Sequence, residues 1–166
     1  MKTILARRSI RRYTSEPVED KLVHDLLEAA MAAPSAGDER PWEFIVLRDR
    51  AALDAIPAIH PYAQMAREAQ VAIVVCGDLE KQKYEGFWVQ DCSAATENLL
   101  LAVTDAGLGA VWCGIYPLDE RVEAFRKLLG TPPHIVPFAL VPIGRPAEKK
   151  GPARRYDAAR VHQDKW

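Results

Sequence analysis

Apolar residues recur along the chain with two different periods, and the alternation of those periods outlines the fold. Val23, Leu26, Leu27, Ala30 and Met31 return at the spacing of one helix face. Glu19 and Asp20 put negative charge at the positive end of that helix, and Pro34 stops it. The runs Glu43–Leu47 and Val71–Gly77 are rich in β-branched residues and read as strands, with helical stretches predicted over 49–57 and 62–69. Strand and helix therefore alternate through the first half.

The longest predicted helix runs from Tyr84 to Ala106. Apolar residues such as Phe87, Val89, Cys92, Ala95, Leu99, Leu101 and Val103 fall on more than one of its faces, so it must be buried nearly all round. In a chain this short, that predicts a central helix or a helix in a subunit interface. Gly107 suits the left-handed residue that follows such a helix. A strand over Ala110–Cys113, a helix over Leu118–Leu129 stopped by Gly130, and a last strand over Ile135–Ile143 complete the pattern. The predicted class is α+β, or mixed α/β: a central sheet of about four to five strands flanked by helices. No repeat, low-complexity run or linker divides residues 1–166, so one domain is predicted. The tail over 145–166 carries Val161 and Trp166 but no element of its own to pack with, and is expected to lie across a second subunit.

Composition adds little until it is resolved along the chain. The 166 residues hold 22 Lys and Arg against 23 Asp and Glu, a net charge of −1. Yet residues 1–12 hold five basic side chains and no acid, and residues 145–165 hold seven basic against three acidic. A cationic head and tail thus flank an anionic body, an arrangement that suits a small anion held where the two ends meet. With a pI near 6.4 the chain lacks the broad basic footprint of a nucleic-acid binder. No apolar run is long enough for a signal peptide or a membrane span, so a cytoplasmic protein is expected. Cys76, Cys92 and Cys113 stand singly among apolar neighbours, as buried thiols do in a reducing compartment.

Familiar catalytic motifs are absent. There is no GxGxxG, P-loop, HExxH or GxSxG, and the four histidines are isolated, which argues against a metal centre or a hydrolytic triad. The informative segment is Arg7-Arg8-Ser9-Ile10-Arg11-Arg12-Tyr13. Four guanidiniums around a hydroxyl can hold a phosphate or a delocalised anion, although read alone they equally describe a solvated basic turn. The loop Ala33-Pro34-Ser35-Ala36-Gly37-Asp38 is rich in small residues and lets main chain approach a ligand closely.

Taken in order, RRSIRRY, APSAGDERPWEF, GLGAVWCG, PIGRP and RRYDAARVHQDKW resemble the nitroreductase family of flavin enzymes, over nearly the whole chain. The resemblance implies an intertwined homodimer that binds FMN at its interface. Such a dimer would pass hydride from NADH or NADPH, in ping-pong fashion, to a nitroaromatic or quinone. By this resemblance Arg7 and Ser9 contact the cofactor phosphate, and Arg11 approaches N1 and O2 of the ring, where a fixed positive charge favours the reduced anion. Arg8 belongs to the same cofactor-binding set, although alternation turns it, like Arg12, toward the surface. Pro34, Ser35 and Ala36 match a loop that reaches the flavin of the other subunit. Asp38 and Arg40 stand where many relatives have Asn and Gln. Asp38 can accept a hydrogen bond from the cofactor or pair with Arg40, but cannot donate as an amide does.

Cys113 and Gly114 match the segment whose main-chain N–H faces flavin N5, and Arg154 or Arg155 completes the phosphate site. Tyr84, Phe87 and Trp88 fall where relatives present aromatic side chains over the open flavin face, or else begin a packed helix. No side chain is implied as a catalytic acid or base, because the flavin carries the chemistry. The same scaffold also allows a flavin-binding carrier or sensor, or a flavin-dependent reductive dehalogenase.

Overall fold

A computed structural model describes all 166 residues. Its centre is an antiparallel sheet of five strands: β1 (Trp42–Leu47), β2 (Val71–Asp78), β3 (Gly109–Ala110), β4 (Cys113–Gly114) and β5 (Ile135–Gly144). The order is β1-β2-β5-β3, with β4 also paired to β5. β2 is buried along its whole length and β5 along nearly all of it, because helices cover both faces of the sheet. This is why both strands read as continuous apolar runs rather than as an alternating pattern.

The expected strand over Ala110–Cys113 appears as two short strands in one register, with Ala110 opposite Ile143 and Cys113 opposite Leu140. Pairing lapses at Val111 and Trp112, which that register sets opposite Pro142 and Val141, and proline has no N–H to give the ladder. The free side of this edge takes the N-terminal segment in parallel: Ser9 bridges Ala110, and Ile10 N–H donates to Ala110 O at 2.9 Å.

Five helices surround the sheet: α1 (Lys2–Ala6), α2 (Asp20–Met31), α3 (Arg50–Ile59), α4 (Trp88–Asp105) and α5 (Asp119–Leu129). α4 begins at Trp88 rather than at Tyr84, because Gly86 has a left-handed φ of 84° that breaks the turn before it. The predicted helix over 62–69 shrinks to a 3-10 turn at Gln64–Arg67. Gln70 N–H already donates to Ile143 O as the chain enters β2, so too few residues remain for a longer helix. α1, a single turn with no buried residue, has no apolar periodicity to announce it.

The core is one contiguous cluster of 40 buried residues. α4 lies within it, burying Trp88, Cys92, Ala95, Leu99 and Val103 on one face and packing against α2 and β2. Its flank of Val89, Ala94, Leu101 and Ala102 is only half-covered by the chain itself. No helix is long and apolar enough to cross a membrane.

Candidate functional site

The basic head is laid along the sheet edge by its two apolar residues. Ile10 and Tyr13 turn inward against Gly109 and Gly144, where an added Cβ would come within 2.7 Å and 3.0 Å of their side chains. The Tyr13 hydroxyl donates to Ile10 O at 2.7 Å and lies 3.1 Å from Pro142 O, and burial of this phenol pushes its pKa far up. With those two side chains fixed, the arginines between them project outward.

The tail then folds back over the head. Arg8 Nε donates to Gly151 O at 2.7 Å, Lys150 Nζ donates to Ser9 O at 2.6 Å, and Glu148 accepts from the Arg11 N–H at 2.5 Å. The outcome is a cavity of about 260 Å³ lined by Arg7, Arg8 and Arg155, with Glu97 the only acid. Arg7 sits 3.4 Å from that Glu97, in a half-exposed ion pair. Arg8 is therefore part of this convergence, whereas Arg154 does not line it. Arg12 turns away and pairs with Glu68 at 3.1 Å.

A second cavity, of about 480 Å³, opens where Arg11 meets Trp112, Cys113 and Gly114. No carboxylate lines it. Gly114 has open space where a Cβ would stand, its nearest neighbour being Tyr116 O at 3.9 Å, so main chain is accessible here. The Gly114 carbonyl is clamped by two donors, His60 Nε2 at 3.0 Å and Arg121 Nη1 at 2.9 Å. Burial and the charge of Arg121 hold His60 below its usual pKa, so it donates as a neutral imidazole. Burial pushes the Cys113 thiol up to about 11, which leaves it an inert hydrophobe rather than a nucleophile.

Nothing in the pattern of the chain marked His60 or Arg121. His60 is an isolated residue at the end of α3, and the one signal for Arg121 was a cation in the first turn of a helix, where acids are normally favoured.

The Pro34–Asp38 loop lies elsewhere. It forms a 3-10 turn at Ala36–Asp38 in which Gly37, Asp38 and then Arg40 have left-handed φ of 50°, 55° and 46°. Ser35 Oγ accepts from Arg40 N–H at 3.0 Å, and Arg40 grips Asp38 through two contacts of 2.6 and 2.7 Å. Within the single chain Asp38 pairs with Arg40. Tyr84 lies on the loop, its ring within 2.5 Å of where a Gly37 Cβ would be, and meets Phe87 edge-on at 6.2 Å. Tyr84 and Phe87 are exposed, but Trp88 is buried under Gly77 and stacked edgewise on Tyr116. No loop residue lines the cavities of Arg7 or Arg11. One chain therefore assembles the cationic side of a site and leaves the loop pointing away from it.

The fold is thus an antiparallel sheet within an α+β domain, with an arginine-lined cavity and an open main-chain glycine at its edge. The chain belongs to the nitroreductase family, whose sequence profile matches residues 4–145. It is 51% identical over 166 residues to a protein of Methanothermobacter thermautotrophicus provisionally named NADH dehydrogenase/NAD(P)H nitroreductase, covering all of this chain and 87% of that one. A Parabacteroides distasonis crystal structure provisionally given the same name superposes with a TM-score of 0.96 at 47% identity, covering 99% and 97% of the two chains. A provisionally named nitroreductase from Desulfovibrio desulfuricans, crystallised in complex with FMN, superposes with a TM-score of 0.85 at 35% identity, covering 99% and 96%.

Proposed function

We propose that this protein is an FMN-dependent oxidoreductase that accepts hydride from NADH or NADPH and delivers it to an electron-poor small molecule such as a nitroaromatic or quinone. The observation that carries this reading is the pairing of two cavities along one N-terminal segment, Arg7–Arg11. Arg7, Arg8 and Arg155 converge in the first, and Arg11 faces the open main chain of Gly114 in the second. Three residues separate Arg7 from Arg11, four Cα steps that span roughly 13 Å when extended, which suits a ligand with a phosphate at one end and a flat ring at the other.

When bound, FMN supplies the hydride-carrying chemistry. The chain's own residues bind and orient. Arg7, Arg8, Ser9 and Arg155 hold the phosphate, with Glu97 fixing the Arg7 guanidinium. Arg11 sets a permanent positive charge beside the electron-accepting edge of the ring. The Gly114 N–H would be free to meet the ring, because no side chain stands in the way, and the His60–Arg121 clamp fixes the peptide that follows it. No acidic side chain is needed, in keeping with a cavity that contains none.

The functional unit in this reading is a homodimer in which each chain is one FMN-binding domain. The half-covered flank of α4 packs against the partner, the Pro34–Asp38 loop reaches the partner's flavin, and the tail crosses the partner surface. Tyr84 and Phe87 then stand over the open ring face, and Trp88 packs behind them. Ligands are small molecules rather than nucleic acid, because the arginines converge into cavities instead of spreading over a face. The reading also places the protein in the cytoplasm.

The experiment is direct. Purified protein should be yellow, bind FMN near one per chain, migrate as a dimer, and oxidise NADH or NADPH in the presence of a quinone or nitroaromatic. Arg11→Ala should weaken FMN binding and turnover far more than Arg12→Ala. Protein that takes up no FMN sinks the proposal; protein that holds FMN but turns over negligibly is a carrier or sensor instead.

A further inference from the structure

The Pro34–Arg40 loop is fastened from beneath by two carboxyl groups. Glu39 and Asp91 are only 6% and 5% exposed, and each carboxyl group acts on the protonation of the other. Glu39 Oε2 accepts from the main-chain N–H of Lys83 at 2.6 Å and of Tyr84 at 3.2 Å. Asp91 Oδ1 accepts from the N–H of Ala36 at 3.0 Å. The two remaining oxygens, Glu39 Oε1 and Asp91 Oδ2, are buried and have no other partner.

An ionised carboxylate can only accept, so two of them in a dry contact would repel and leave both oxygens unsatisfied. One proton between them satisfies both at once. We propose that Asp91 and Glu39 share a single proton, and that this acid–carboxylate pair positions the Pro34–Asp38 loop for its contact with the partner subunit's flavin. The inference rests on the FMN reading above for its functional end, but not for the pair itself. Both are positioning residues, acting through the loop and touching no cofactor.

The proton belongs mainly to Asp91. Burial, reinforced by the charge and hydrogen bond of Glu39, raises the Asp91 pKa against the pull of the Ala36 N–H. Burial opposes charge on Glu39 too, but the Lys83 and Tyr84 N–H donors and the Asp91 side chain together hold it below the usual carboxylate range. Around the pair, Lys83 Nζ donates to Gly37 O at 2.9 Å, and Asp38 and Arg40 neutralise each other at the loop's tip. What the pair holds is a strained conformation, since Asp38 and Arg40 both sit in the left-handed region without being glycine. Such a conformation persists only while its surroundings impose it.

The linkage has a definite sign. The folded protein keeps a proton that the unfolded chain releases in the ordinary carboxylate range, about pH 4. The shared proton therefore persists only between the lowered pKa of Glu39 and the raised pKa of Asp91: the hold weakens as pH falls through the first, where Glu39 is protonated too, and as pH rises through the second, where the proton leaves.

Asp91→Asn presents a permanent donor to Glu39, whereas Asp91→Ala presents none, and this contrast separates the proton from mere packing. Two measurements on the full-length protein decide the matter. At a fixed pH of about 5, just above the ordinary carboxylate range, amide hydrogen exchange across residues 33–41 should be unchanged in Asp91→Asn and accelerated at least tenfold in Asp91→Ala. In FMN-loaded protein, flavin release should quicken with rising pH in the wild type and follow a flatter profile in Asp91→Asn, whose comparison removes the phosphate's own titration. Equal exchange in the Asn and Ala variants, or identical release profiles in wild type and Asp91→Asn, would overturn the proposal. A protein whose loop exchange obeys the prediction but which takes up no FMN would instead sink the oxidoreductase reading and leave the proton-sharing pair standing.

Discussion

His60 Nε2 donates to the main-chain carbonyl of Gly114 at 3.0 Å, and Arg121 Nη1 donates to the same oxygen at 2.9 Å. The peptide that follows Gly114 is thus fixed from two sides, one neutral and one charged. Removing either donor leaves the carbonyl satisfied by the other. His60→Ala should accordingly cost about 1 kcal/mol for the hydrogen bond plus the loss of a buried ring. The double variant with Arg121→Ala should cost more than the two singles summed, because only then is the carbonyl orphaned. Urea unfolding of the four proteins measures the coupling, and strict additivity would contradict the clamp.

The same histidine gives stability a pH dependence. Burial depresses its pKa, so between its lowered value and the ordinary one, about 6.5, the unfolded chain binds a proton that the folded protein refuses. Stability from this group is complete above about pH 6.5 and declines as pH falls below it. His60→Gln should flatten the curve of unfolding free energy against pH in the range just below about pH 6.5, leaving any loss at lower pH to the carboxylates. An unchanged slope in the variant would assign the dependence elsewhere.

Gly77 and Trp88 make a tighter demand. A Cβ on Gly77 would meet the Trp88 indole at 2.3 Å, and that ring is wedged between the strand, Tyr116 and Phe138 with no room to retreat. Gly77→Ala should therefore destabilise by about 1–3 kcal/mol, as overpacked cores do, and lower the midpoint of thermal unfolding by roughly 2–12 °C. Trp88→Phe in the Gly77→Ala background should recover part of the loss, which thermal melts of the single and double variants would reveal.

The contrast between Trp88 and its neighbours shows what could be read from the chain. The hydrophobic pattern located β1, β2, β5, α2, α3 and α5 to within a few residues, because the helices bury a face that repeats at the helical period and the strands stand out as short runs rich in β-branched residues. It ran α4 back to Tyr84 because aromatic residues continue there, and only the left-handed backbone of Gly86 separates the exposed Tyr84 and Phe87 from the buried Trp88. It drew one strand across Val111 and Trp112 because the missing N–H of Pro142 sits some thirty residues away. The gathering of basic residues at both ends was visible as a charge count, and the fold brings Arg7, Arg8 and Arg155 from those ends to one cavity. The His60–Gly114 and Glu39–Asp91 contacts were not, because each joins an unremarkable polar residue to a partner that only the fold brings near.

That charge count leads to the final prediction, which distinguishes two adjacent arginines. Arg154 and Arg155 were equivalent in the sequence, but only Arg155 joins Arg7 and Arg8 around the 260 Å³ cavity. A guanidinium bonded to a phosphate contributes about 1.5–3 kcal/mol, as charge-assisted hydrogen bonds do. Arg155→Ala should then weaken FMN binding by roughly tenfold to a hundredfold, while Arg154→Ala should change it by no more than the general loss of one exposed charge. Neither substitution should alter unfolding of the cofactor-free protein, because every residue from Gly151 onward is exposed and contributes nothing to the core. Fluorescence titration with FMN and with riboflavin completes the test. Riboflavin lacks the phosphate, so its binding should be indifferent to Arg155→Ala; an equal loss for both ligands would mean that Arg155 acts on the ring or on the dimer rather than on the phosphate.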